Sequence, residues 1–172
     1  KIGKKISKKR IKLRLNGIAG AKTDLITSEV SSFNTRYKKK LIKRSKRIKV
    51  LISPHDFFDA VHIWGKTFFT DFYEWLKFLK KISKKTEYTW YIKSHPHSLP
   101  ESEKLLDEFL LDTPQFKKIP KNTSNHQILK EKIDCVLTVY GTIGWEYAYH
   151  NVPVINASKN NPSISYKFNL HA

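Results

Sequence analysis

Methionine is absent from this chain and cysteine occurs once. With a single thiol, Cys135 in the apolar stretch DCVLTVY, no internal disulfide can form, and no Cys/His spacing suits a zinc site. A lone cysteine among apolar neighbours fits a reducing compartment. Because methionine is missing, Lys1 is not read as a start. The last stretch, SYKFNLHA, mixes polar and apolar residues without a terminal signal, so the chain is expected to be a fragment of a longer protein. Long apolar runs are missing too. Nothing approaches the ~20 residues that span a bilayer, and no signal peptide is visible. The expected location is cytoplasmic, with peripheral contact on the inner face of the plasma membrane left open.

Acidic residues are scarce at one end. Residues 1–50 hold 18 Lys+Arg against Asp24 and Glu29, a balance of +16, whereas residues 51–172 hold 15 against 13, a balance of +2. The basic character therefore belongs to the N-terminal segment. Such a run can meet nucleic acid, anionic lipid or an acidic polymer, or serve as a solvated linker. Residues 1–46 are expected to form a basic linker or interdomain segment largely outside the core. They read as irregular, with a short helix over 36–46 and breaks at Asn16-Gly17 and Ala19-Gly20. What is present in quantity is apolar residues, 40% of 172, enough for one domain with a real core.

From Arg47 to the end the pattern alternates. Ile48 to Pro54 is a short apolar run closed by proline, as a buried strand would be, and a loop follows over 55–66. Over 70–82, Phe72, Trp75, Leu76, Leu79 and Ile82 recur at helical spacing, with Thr70 placed to cap the helix. Residues 87–93 are aromatic and β-branched, hence a strand. Ser98 to Glu101 reads as a capping box opening a helix to about Leu111. A short strand is expected over 116–119, a second capping box at Ser124 to Gln127 opens a helix to about Lys132, and 134–140 is another buried strand. A helix over 142–150 and a strand over 152–158 complete the order. Strands separated by helices must run parallel, which predicts an open, Rossmann-like, doubly wound α/β sheet of about five strands.

In such a sheet, ligands bind outside the carboxyl ends of the strands. Clusters of polar and small residues fall there: His55 and Asp56 after the first strand, Lys93, Ser94, His95 and His97 after the second, Tyr140, Gly141, Thr142 and Gly144 after the fourth, Asn156 and Ser158 after the last. Gly141 lets the backbone approach a ligand closely. Thr142 opens a helix whose free N–H groups favour an anion, and Glu146, four residues on, shares its face. His95 before Pro96 is held extended, and its imidazole can donate to a phosphate with Lys93 adding charge.

The order K-x-H-P (93–96), then D-x-x-L-T-x-Y-G-T-x-G-x-E-Y-A (134–148), then P-V-I (153–155) resembles the C-terminal domain of capsule polysaccharide biosynthesis proteins. Related enzymes transfer Kdo, sialyl or polysialyl units or polymerise glycerophosphate. The stretch DFFDAVHIWGKTFFTDFYEWLKFL (56–79) is similar to that family's D-x-P-H…F-x-D-Y-x-E-W-L segment, with Val61 where the family has proline. The resemblance covers about Arg47 to Ala172.

It implies one half of a GT-B fold, the half that binds the nucleotide donor, with the other GT-B domain outside this chain. It implies a metal-independent bacterial glycosyltransferase without cofactor, acting on a nucleotide-sugar donor (CMP-linked favoured) and a polysaccharide or glycolipid acceptor. It implies that His95 contacts the donor phosphate, that Thr142 lies at a second phosphate contact, and that Glu146 lies near ribose or base. Lys93, Tyr140, Gly141 and Gly144 join that donor site, with His55, Asn156 and Ser158 as further pocket residues. The base is expected from the other domain, with Asp56 and Asp59 as the candidates here, and this chain alone is expected to be inactive. Two other readings stay open. One is a non-catalytic module of a polysaccharide assembly machine. The other is a basic nucleic-acid-binding protein, though no nucleic-acid motif is present and nucleic acid is not the expected partner.

Overall fold

The computed structural model describes residues 2–16, 18, 35–59, 68–158, 167 and 170–171. Most of the loop expected over 55–66, including Val61, and the break at Ala19-Gly20 lie outside the described residues. The elements run α1 (Ile2–Leu15), β1 (Lys49–Ile52), α2 (Phe72–Ser83), β2 (Thr89–Ile92), α3 (Pro100–Leu111), β3 (Phe116–Lys118), α4 (Asn125–Lys130), β4 (Cys135–Thr138), α5 (Ile143–Tyr149), β5 (Val154–Asn156) and β6 (Leu170–His171).

All six strands pair in parallel, in the order β3-β2-β1-β4-β5-β6. This is the Rossmann-like doubly wound arrangement. The five expected strands are present, and β6 adds two residues at one edge. The order reverses between β1 and β4, so the crevice outside the ends of these two strands is the topological switch point.

Burial follows from the strands' composition. β1 (KVLI) is buried at every position, as a strand covered on both faces must be. Its alternate residues feed two cores. Val50 and Ile52 join Trp90, Ile92 and Phe116 under Phe72, Trp75, Leu76 and Leu79 of α2 and Leu106 and Phe109 of α3. Leu51 joins Tyr91, Val136 and Val154 under Ile128 of α4 and Ile143 and Tyr147 of α5. Each large apolar side chain buried this way stabilises the fold by about 1.5–3 kcal/mol.

Helix caps differ from expectation in two places. Asp71, not Thr70, caps α2, its carboxylate accepting from Glu74 N at 2.7 Å. At α3 the N-cap is Leu99, which has no side-chain acceptor, so the capping box read from Ser98 is not formed. Asp56, from the loop after β1, substitutes: it accepts from Leu99 N and from Ser102 Oγ, both at 2.7 Å. α4 is capped by Ser124 as expected, accepting from His126 N. The Gln127 side chain, however, turns away from that box to the segment before β1.

The N-terminal segment also departs from its sequence reading. No helix forms over 36–46; the helix is α1, at 2–15. Residues 36–46 crowd like charges without acidic partners one turn away, and their backbone N–H groups are taken by side chains of the body. Tyr37 N donates to Gln127 Oε1, Leu41 N and Ile42 N to Glu131 Oε2, and Lys43 N to Tyr91 Oη. Ile42 is only 2% exposed and belongs to the core beneath α4 and α5. α1 exposes most of its length and docks by its last turn, where Leu15 is buried. No described helix is long and apolar enough to cross a membrane.

Candidate functional site

The strand ends of β1, β2 and β4 meet at the switch point. β1 delivers His55, which is pinned in place. Its ring stacks on Phe72 at 5.0 Å and on Tyr140 at 4.2 Å, its Nε2 accepts from Tyr140 N at 3.3 Å, and its Nδ1 lies 4.0 Å from Asp59 Oδ2. Burial lowers its pKa to about 4, against a smaller opposing effect from Asp59, so His55 is neutral at pH 7. It is a spacer joining the β1 and β4 ends.

β2 delivers Lys93, which is 4% exposed. Its ammonium has no acceptor within hydrogen-bond or ion-pair distance among the described residues. Burial pulls its pKa down to about 8, and the charge of Glu146 offsets part of that effect. The buried hydroxyls of Ser94, the next residue, and of Thr138 at the end of β4 have no partner among the described residues. Buried polar groups are almost always satisfied, so two open hydroxyls at the ends of β2 and β4, with the Lys93 ammonium beside Ser94 in the chain, mark a place where a ligand's polar groups fit.

His95 follows in a turn closed by Ser98 N donating to its carbonyl. Its Nδ1 accepts from His97 N at 3.2 Å, which fixes the proton of the neutral ring on Nε2 and leaves that N–H as a donor. Its pKa is lowered by burial, then by His97 and Lys93. Beyond β4, Gly141 sits in a close-packed turn. A Cβ there would sit 3.2 Å from Thr138 Oγ1 and 3.5 Å from His55 Nε2.

Thr142 and Glu146 are placed differently from expectation. Glu146 is 3% exposed and already partnered: Oε1 accepts from Arg14 Nε at 2.5 Å and Oε2 from Asn125 Nδ2 at 3.0 Å. Arg14 also donates to Thr142 Oγ1 at 3.1 Å. The last turn of α1 therefore lies over the start of α5, held further by His126 Nε2 on the Leu15 carbonyl. In α5 the N–H groups of Gly144 and Trp145 close turns onto Gly141 and Thr142; the first turn is less open than its sequence implies. Lys93 links the halves of the site, since its charge acts on both His95 and Glu146.

Of the other expected residues, Asn156 and Ser158 are fully buried and engaged, and Tyr140 packs on His55 and Phe72. Asp56 is not placed as a base. Three donors, Leu99 N, Ser102 Oγ and Phe58 N, surround its carboxylate. Burial pushes its pKa up, but these hydrogen bonds outweigh that and hold it below the usual range. Asp59 stays beside His55, half exposed. Arg14 and Thr138 were not singled out from sequence: Arg14 is one cation in a basic run, and Thr138 lies inside a strand. Comparison with family models, with curated proteins and with solved structures returns no match to this chain.

Proposed function

We propose that this chain is the donor-nucleotide-binding domain of a metal-independent glycosyltransferase of the two-domain GT-B type. In this reading it serves transfer from a nucleotide-activated sugar to a growing surface polysaccharide, as its resemblance to capsule polysaccharide biosynthesis proteins implies. The observation that carries the reading is the deeply set Lys93 side chain at the end of β2, which has no ion-pair or hydrogen-bond partner among the described residues, together with the unsatisfied hydroxyls of Ser94 and Thr138. An ammonium is costly to bury alone, and a donor phosphate would supply the missing acceptors.

As the sugar's anomeric C–O bond breaks, the electron pair leaves with the nucleotide phosphate. Lys93 and the Nε2–H of His95 would neutralise that developing charge. The base that takes the acceptor's proton comes from the companion domain, since Asp56 is occupied as a helix cap. Glu146 reaches a nucleoside only by exchanging Arg14.

Titration calorimetry with CMP, CDP, UDP and GDP tests the reading. A cytidine nucleotide should bind most tightly. Its affinity should fall as pH rises through about 8, where Lys93 loses its charge. His95→Ala should cost about 1.5–3 kcal/mol of binding. Binding of none of the four would remove the proposal and favour a non-catalytic assembly module.

A further inference from the structure

A cavity of about 1050 Å³ lies at the opposite, N-terminal edge of the sheet. It is bounded by the segment before β1 and by the end of α4. Seven cationic side chains line it: Arg36, Lys40, Arg44, Lys46, Lys49, Lys130 and Lys132. The single acid in the lining, Glu131, is spent on structure, accepting from Leu41 N, Ile42 N and Gln127 Nε2. Among the described residues, only Lys49 of the seven cations has a carboxylate within ion-pair distance, Asp134 Oδ2 at 3.9 Å.

This concentration of charge is built. Residues 35–43 are tied to the body by Thr35 O accepting from Ser124 N, Tyr37 N on Gln127, Leu41 N and Ile42 N on Glu131, and Lys43 N on Tyr91. Across the cleft, Lys132 holds a left-handed backbone (φ 66°) at the end of α4, a position that favours glycine or asparagine. The fold thus holds mutually repelling cations around one cavity, and no acid in the lining is free to compensate them.

We propose that this cleft is a binding site for a compact, multiply charged phosphate anion. Its volume suits a small ligand of several anionic groups. Two arginines offer the planar forks that grip phosphate oxygens in pairs, and the lysines supply point charges around them. Tyr37 and His126 are the rings in the lining, and His126 is held by the Leu15 carbonyl, short of the stacking platform that single-stranded nucleic acid uses. Ile42 is buried, so the cleft has no aliphatic side chain to insert into a bilayer. The inference does not rest on the donor-binding reading, because Lys93 and its neighbours lie at the other edge of the sheet.

The test is titration of the whole 172-residue chain with sodium tripolyphosphate at low salt. The comparison set is Arg44→Glu/Lys130→Glu, Lys4→Glu/Lys8→Glu on α1, and Lys93→Ala. The proposal expects saturable binding that weakens at least about tenfold in Arg44→Glu/Lys130→Glu and stays within about twofold in the α1 variant, with Lys93→Ala removing at most a separate second event at the other edge of the sheet. The charge-neutral Arg44→Gln/Lys130→Gln should weaken it by an intermediate factor, with a thermal melt confirming that each variant folds. Equal loss in the α1 variant would mean diffuse charge and overturn the site. So would loss confined to Lys93→Ala, or tripolyphosphate failing to bind while a DNA duplex or phosphatidylserine vesicles bind.

Discussion

Arg14 and Glu146, 132 positions apart, share a charge-assisted hydrogen bond of 2.5 Å between Nε and Oε1. The carboxylate is almost wholly buried and the guanidinium is part exposed. The one pair therefore anchors the basic helix α1 to the start of α5 and spends the glutamate that the sequence offers to a nucleoside. Arg14→Ala leaves Glu146 with Asn125 alone and should destabilise the chain by about 1–3 kcal/mol. In urea unfolding, a double-mutant cycle with Glu146→Gln should give a coupling above ~0.5 kcal/mol. A coupling near zero would show that α1 is held by other contacts.

Lys93 gives the opposite sign. Its pKa is lowered in the folded chain to about 8 from 10.5, so between these values the unfolded chain binds more protons and stability rises with pH. Below about pH 8 the cost of burying the charge is present in full. Lys93→Met should therefore stabilise the protein at pH 7, by an amount on the order of 1–3 kcal/mol. That gain should shrink as pH climbs from 8 towards 10.5, while nucleotide binding is lost at all pH values. A destabilised Lys93→Met chain at pH 7 would show that the ammonium has a partner in solution.

His55 should report burial at the acid end. Its folded pKa of about 4 lies below the ordinary 6.5, so stability is lost as pH falls through that window, where the unfolded chain takes up the proton first. Proton NMR should place the His55 ring titration near 4, and His55→Gln should flatten the stability profile between pH 6.5 and 4. A midpoint near 6.5 would mean that the ring is not packed between Phe72 and Tyr140.

Much of the fold is legible in the sequence because it depends on local pattern. The five longer strands and the four helices of the sheet domain fall where apolar runs and helical spacing place them, and Phe72, Trp75, Leu76 and Leu79 are buried as their spacing requires. What escaped depends on side chains meeting across the chain. Ser98 looks like the cap of α3, but the carboxylate that serves it, Asp56, arrives from 43 positions away. Thr70 and Asp71 are adjacent and equally able caps, and one residue of phase decides between them. The segment 36–46 reads as a linker by charge, yet Gln127 and Glu131 collect its backbone N–H groups. That polar residues gather at strand ends is legible in position, but not which of those groups are already satisfied.

Asp56 provides a test of cap against base. Asp56→Ala should cost about 1–2 kcal/mol and speed amide exchange at Leu99 and through the first turn of α3. Asp56→Asn, which keeps acceptors for Leu99 N and Ser102 Oγ, should recover part of the loss. On the proposed glycosyltransferase reading, a catalytic role would instead show as lost transfer with stability unchanged.

The anchoring of α1 has a consequence in time. Its docking partners, His126 and Glu146, lie 111 and 132 positions downstream of the residues they hold. At about 5–20 residues per second of synthesis, roughly 7–26 s pass between the emergence of Arg14 and that of its carboxylate. Throughout that interval the helix lacks its native anchor, and its guanidinium is open to other anions, in the chain or outside it. α1 is thus made well before the residues that hold it, and an acidic chaperone surface or the ribosomal RNA itself can compete for it until β4 and α5 exist.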